Sequence, residues 1–140
     1  MRKALLLTAF SIFLFTDAFK SQTLMQLPSQ AATYCCNTRG YYFQAPVDFL
    51  IVGLRVPTTA STANQSVAVL RFNSGAPLAY PTTTNNFTTL ALFQNIAGNN
   101  VLPVSIPIYQ GDWIAVMGSR GGTNSYGQAN WSTQILGENL

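Results

Sequence analysis

The run DFLIVGLRV, Asp48 to Val56, alternates Leu50, Val52, Leu54 and Val56 with Phe49, Ile51, Gly53 and Arg55. That is the two-residue period of an extended strand. It predicts Leu50, Val52, Leu54 and Val56 on one face. Phe49 and Ile51 on the other face predict that this side is partly covered too. Pro57 ends the run, and PTTASTANQ reads as a loop. Ser66 to Phe72 repeats the pattern: Ala68, Leu70 and Phe72 on one side, Val67, Val69 and Arg71 on the other.

Further runs follow, separated by Gly, Pro, Asn and Ser clusters. Gly40 to Gln44 is a short aromatic strand, and Phe87 to Gln94 another. Leu102 to Ile108 carries Pro103 and Pro107, so it belongs at an edge, because proline has no N–H for a ladder. Trp113 to Met117, after the turn Gln110-Gly111-Asp112, reads as a central strand with Trp113 in the core. Gly118 to Tyr126 reads as a glycine-rich loop, and Asn130 to Leu136 as a last strand. No segment after the leader sustains a helical period. The expected fold is all-β, a two-sheet antiparallel sandwich of jelly-roll type.

Composition changes this picture mainly at the amino end. Arg2 and Lys3 precede the apolar run Ala4 to Phe15, and a more polar stretch with small residues follows. This is the three-part pattern of a secretory signal peptide, residues 1–22, with cleavage between 18 and 22. The run is shorter than the about 20 residues a spanning helix needs, and no membrane span is expected after leader removal. One domain, residues 23–140, remains. A chain of that size buries about two thirds of its unfolded surface and needs no disulfide to hold a core.

Without the leader, Arg39, Arg55, Arg71 and Arg120 stand against Asp48, Asp112 and Glu138, and no lysine is left. Nucleic acid is excluded as a partner, because four scattered arginines make no counterion-releasing patch. Low charge and a surface of Thr, Ser, Asn, Gln and Tyr suit an extracellular adhesive or matrix protein.

The chain has no histidine. A Ser-His-Asp or Cys-His arrangement is therefore impossible within it, and two cysteines alone cannot make a zinc site. Any carboxylate pair must come from Asp48, Asp112 and Glu138, which lie far apart in sequence. Ordinary turn and strand-end roles account for Asp48 and Asp112 better than catalysis or calcium does. No enzyme, cofactor or metal is expected.

The stretch GSRGGTNSYG, Gly118 to Gly127, lacks the lysine and the following helix of a phosphate loop. Read as structure, it is a β-loop with glycines at positive φ. Read as function, it is a ligand loop, with Arg120, Asn124, Ser125 and Tyr126 offering polar groups beside a ring. Trp131, in the polar setting QANWSTQ, is the candidate exposed platform; Tyr41, Tyr42 and Tyr80 add amphipathic rings. Together these suggest a polysaccharide or glycan ligand. Sequons at Asn64, Asn86 and Asn130 are about as many as composition alone produces.

Cys35 and Cys36 are the only cysteines, and they are neighbours. Export places them in an oxidising space. Three arrangements stay open: a disulfide between the two, unpaired thiols, or a bond to a second chain. A disulfide between them closes almost no loop, worth about 1 kcal/mol before strain.

The phrases GYYFQAPVDFLIVGLRVP, NQSVAVLRFN and GDWIAVMGSRGGTNSYG, taken together, resemble a loosely defined group of bacterial secreted β-sandwich proteins. The likeness runs from about Tyr34 to Tyr126. It implies a secreted or envelope location and a β-sandwich, with no catalytic activity assigned to the group. The expected function is non-enzymatic adhesion or glycan binding outside the cell or in its envelope. The alternative is a structural subunit that self-associates through an edge strand such as the one around Val104.

Overall fold

The computed structural model describes residues 22–79, 81–127 and 131–140. The expected leader up to residue 21, Tyr80 and Asn130 of the third sequon lie outside them. Ten strands occur among the described residues: β1 (Ala32–Cys35), β2 (Arg39–Gln44), β3 (Phe49–Leu54), β4 (Gln65–Phe72), β5 (Phe87–Ile96), β6 (Leu102–Ile108), β7 (Trp113–Arg120), β8 (Thr123–Tyr126), β9 (Gln134–Ile135) and β10 (Glu138–Asn139). No helix occurs among them. The chain is all-β, and every pairing is antiparallel.

The larger sheet runs β1-β8-β7-β4-β5, with β2 also paired to β7. β7 thus lies between β4 and β2, the central place its apolar run implied. β3 pairs only with β6, and β9 only with β10. β6 is accordingly an edge strand, which its two prolines require. One buried cluster draws on both larger assemblies: Val67 and Val69 of β4 and Ile114 of β7, with Leu54 of β3 and Leu102, Ile106 and Ile108 of β6. Val69 and Ile114 are wholly buried. Burying a side chain of that size stabilises by about 1.5–3 kcal/mol.

Three expectations change. First, β3 does not keep one apolar face. Its register with β6 shifts between Ile51 and Gly53. Phe49 and Ile51 pack on the core before the shift, and Leu54 and Val56 after it. Leu50 and Val52 are left exposed. A bulge adds one residue to one strand and so exchanges the faces beyond it. Second, Trp113 is not core. Ile114 takes the inward position, and alternation turns Trp113 to the opposite face. There it pairs with Phe72 of β4, and its ring lies 6.2 Å from Tyr42. Third, Gly118 to Tyr126 is a hairpin rather than a loop. β7 runs through to Arg120, which pairs with Thr123. Gly121 and Gly122 between them have φ of 56° and 82°. Positive φ at both central residues is what the favoured two-residue hairpin turn demands.

Candidate functional site

A groove of about 1210 Å³ opens over the end of β7 that carries Val116 to Arg120. Its floor is the β2–β7 surface, with Tyr41, Phe43 and Val116. One wall is the segment 25–30, including Leu27 and Pro28; another is the loop after β3, including Arg55 and Pro57. Trp131 and Thr133 close a third side.

Close backbone approach makes this floor. A Cβ on Gly40 would overlap the Val116 carbonyl, so β2 can lie against β7 here only with glycine. One on Gly118 would meet Val56 Cγ2 at 2.8 Å. Tyr41, Phe43 and Phe49 form a stacked series, with centroid separations of 6.3 and 6.4 Å, that leads from the groove into the core. About a third of Tyr41 is accessible (36%). The concave surroundings still desolvate its hydroxyl, and that burial pushes its pKa up to about 12. The phenol stays neutral at any ordinary pH.

The residues singled out in the sequence part company here. Trp131 is half exposed and lines the groove. Arg120, expected on a loop, is 1% exposed. Its Nε donates to the Val56 and Pro57 carbonyls, Nη1 to those of Ala63 and Gly98, and Nη2 to the Val56 carbonyl and Asn99 Oδ1. All five guanidinium N–H groups are occupied, so Arg120 holds the groove wall together and offers no free donor to it. Asn124 is also buried. Its Oδ1 accepts the Arg39 backbone N–H at 3.1 Å, and its Nδ2 has no partner among the described residues. Tyr126 pairs with Ala32 at the end of the β1–β8 ladder.

Cys35 and Cys36 are bonded to each other. Cys35 closes β1, opposite Thr123. Cys36 turns to φ 77° and donates its N–H to the Gly122 carbonyl at 2.8 Å. The pair therefore caps the β1–β2 connection against the β7–β8 turn. Beside it, the Arg39 guanidinium lies 4.2 Å over the Tyr34 ring.

The structure joins Asp48 and Asp112, which the sequence separates, but at the other end of β7. Asp48 Oδ1 accepts the Gln110 N–H at 2.7 Å, and Asp112 Oδ2 the Tyr109 N–H at 3.0 Å. Asp112 also forms an ion pair with Arg71 at 3.1 Å. Both carboxylates thus serve the β6–β7 turn. Neither they nor Glu138 line the groove. Among the described residues no group of three or more Cys, Asp or Glu side chains is placed to hold a metal.

What sequence reading missed is the groove's walls. Residues 25–30 carry no periodic signal, and Arg55 looked like one more strand residue. No family model, curated protein or solved structure matches the chain.

Proposed function

We propose that the protein is an exported, non-enzymatic β-sandwich of jelly-roll type that acts outside the cell or in its envelope by adhesion, holding a glycan in the groove. The observation that carries this reading is the groove itself. It is open, about 1210 Å³ in volume, and lined by an exposed indole, a neutral tyrosine and polar side chains such as Arg39 and Arg55. Rings offer an apolar face to a sugar's C–H surface, while amides, hydroxyls and guanidiniums bond its hydroxyls. The sandwich reading rests on the buried cluster shared by β4, β7, β3 and β6. The non-enzymatic reading rests on the absence of histidine and on carboxylates engaged in turn geometry away from the groove. Export rests on the leader pattern and on the resemblance to secreted β-sandwich proteins. A polysaccharide pull-down and a glycan array test the reading; no retention on any glycan would remove it.

A second reading, self-assembly, is favoured by β5. This ten-residue strand pairs on one side only, with β4, and Phe87 to Ile96 contains no charge and no proline. An uncharged open edge lacks the usual guards against strand addition. Light scattering of the purified protein separates the two, since a monomer at high concentration contradicts assembly.

A further inference from the structure

We infer that the glycan is anionic, a polysaccharide bearing carboxylate or sulfate groups, and that Arg39 and Arg55 meet its charges; this rests on the glycan reading above. The four arginines of residues 23–140 are not spread evenly. Arg39, Arg55 and Arg120 line the groove, and among the described residues no Asp or Glu side chain does. The fourth, Arg71, sits at the far end of β7, where Asp112 neutralises it. Two of the three acids, Asp48 and Asp112, thus lie at the β6–β7 turn with Arg71; the third, Glu138 of β10, does not line the groove, where the other three arginines gather.

The three groove arginines have different roles. Arg55 is exposed and makes no hydrogen bond or ion pair among the described residues. Arg39 is exposed, its guanidinium carbon lies 4.2 Å from the Tyr34 ring centroid, and its side chain makes no hydrogen bond or ion pair among the described residues. A guanidinium without a carboxylate partner can grip a carboxylate or sulfate with two bonds. Arg120 contacts nothing in the groove, yet its charge remains. Its acceptors are four carbonyls and one side-chain amide oxygen, with no carboxylate among them. A buried cation balanced only by dipoles projects positive potential into the adjoining concavity. A neutral sugar accepts hydrogen bonds from these cations but leaves their charge unbalanced, whereas an anionic one relieves their mutual repulsion.

Affinity measurements on the purified protein test this, with dextran as the neutral chain, dextran sulfate as the sulfated one and polygalacturonate as the carboxylated one. At least one charged chain is expected to bind about tenfold or more tighter than dextran, and more weakly as salt rises. Whichever binds better identifies the anion. Arg55→Gln, which disturbs no contact, is expected to weaken binding about threefold, and Arg39→Gln with Arg55→Gln about tenfold or more, at an unchanged unfolding midpoint. The Asn124 bond to Arg39 is to the backbone and survives both changes. Dextran bound as well as the charged chains, or Arg55→Gln and the double variant binding like the parent, would overturn the inference while leaving the glycan reading in place. Tighter binding of single-stranded polyadenylate would also overturn it, in favour of a nucleic-acid ligand. Binding of no glycan, charged or neutral, would remove both.

Discussion

Gln65 and Arg120 face each other across the β4–β7 ladder, both buried, and together they grip the backbone of Val56. Gln65 Oε1 accepts the Val56 N–H at 3.1 Å, and Arg120 donates to the Val56 carbonyl through Nη2 at 2.7 Å and Nε at 2.9 Å. Gln65 Nε2 reaches the Asn100 carbonyl at 2.9 Å, while Arg120 reaches Gly98 and Asn99. Two side chains thus tie the β3–β4 loop and the β5–β6 turn to the larger sheet. This clamp sets one wall of the groove.

Arg120→Met removes every donor of the clamp from one side. Several carbonyls then compete for water at a partly buried site. The expected loss is about 2–3 kcal/mol in urea unfolding. Arg120→Lys, with three donors instead of five, is expected to recover only part of it. Equal stability of Arg120→Met and the parent would show that the clamp holds nothing.

Much of this architecture was legible in the alternation. β2, β4, β6 and β7 appear where apolar runs meet turn residues, and the prolines of β6 correctly put it at an edge. The faces of β3 were not legible, because the bulge at Ile51–Gly53 leaves the alternation unbroken while it changes what the alternation means. Arg120 misled for a different reason. An arginine among glycines reads as solvent-facing, and only oxygens from residues 56, 57, 63, 98 and 99 make its burial tolerable. Those partners are distant in sequence. The groove shares this property, since it is assembled from 25–30, β2, the loop after β3 and the chain from Trp131 onward.

Gly40 supports a second prediction. Its added Cβ would strike the backbone of Val116, which cannot swing aside as a side chain would. Gly40→Ala is expected to destabilise by about 2 kcal/mol or more and to loosen β2 from β7. Amide exchange of Tyr41 to Phe43 reads the second effect. Gly75→Ala is the contrast, because open space surrounds that position and only its φ of 100° resists the change.

The cysteine pair invites a prediction of small effect. The bond joins neighbours and closes almost no loop, so Cys35→Ser with Cys36→Ser is expected to change stability by about 1 kcal/mol or less. Within the Cys35→Ser background, Cys36→Gly is expected to be the more stable choice over Cys36→Ser by about 1 kcal/mol, since φ is 77° there. The intact protein is expected to weigh two hydrogens less than its reduced form. A stability loss several times larger would give the bond a structural role that its place in the chain does not suggest.

Tyr41 makes the alkaline limb of stability specific. Its pKa rises from 10.0 to about 12 on folding because burial disfavours the phenolate. The unfolded chain gives up this proton first. The contribution is therefore complete below pH 10, declines between about pH 10 and 12, and is gone above that range. Tyr41→Phe is expected to remove that part of the decline, and an ultraviolet titration to lose its latest-titrating tyrosine. An alkaline limb of unchanged shape in Tyr41→Phe would contradict the placement of this hydroxyl.

The central claim is that the groove beside Trp131 is where a glycan sits. The most direct test is a calorimetric titration with the best-retained polysaccharide, for the parent and for Trp131→Ala. The ring is half exposed, so its loss is expected to leave the unfolding midpoint nearly unchanged. The account predicts saturable binding by the parent and an affinity about tenfold or more lower in Trp131→Ala, the order of loss that truncating an aromatic anchor brings. Binding by Trp131→Ala at the parent's affinity would contradict it.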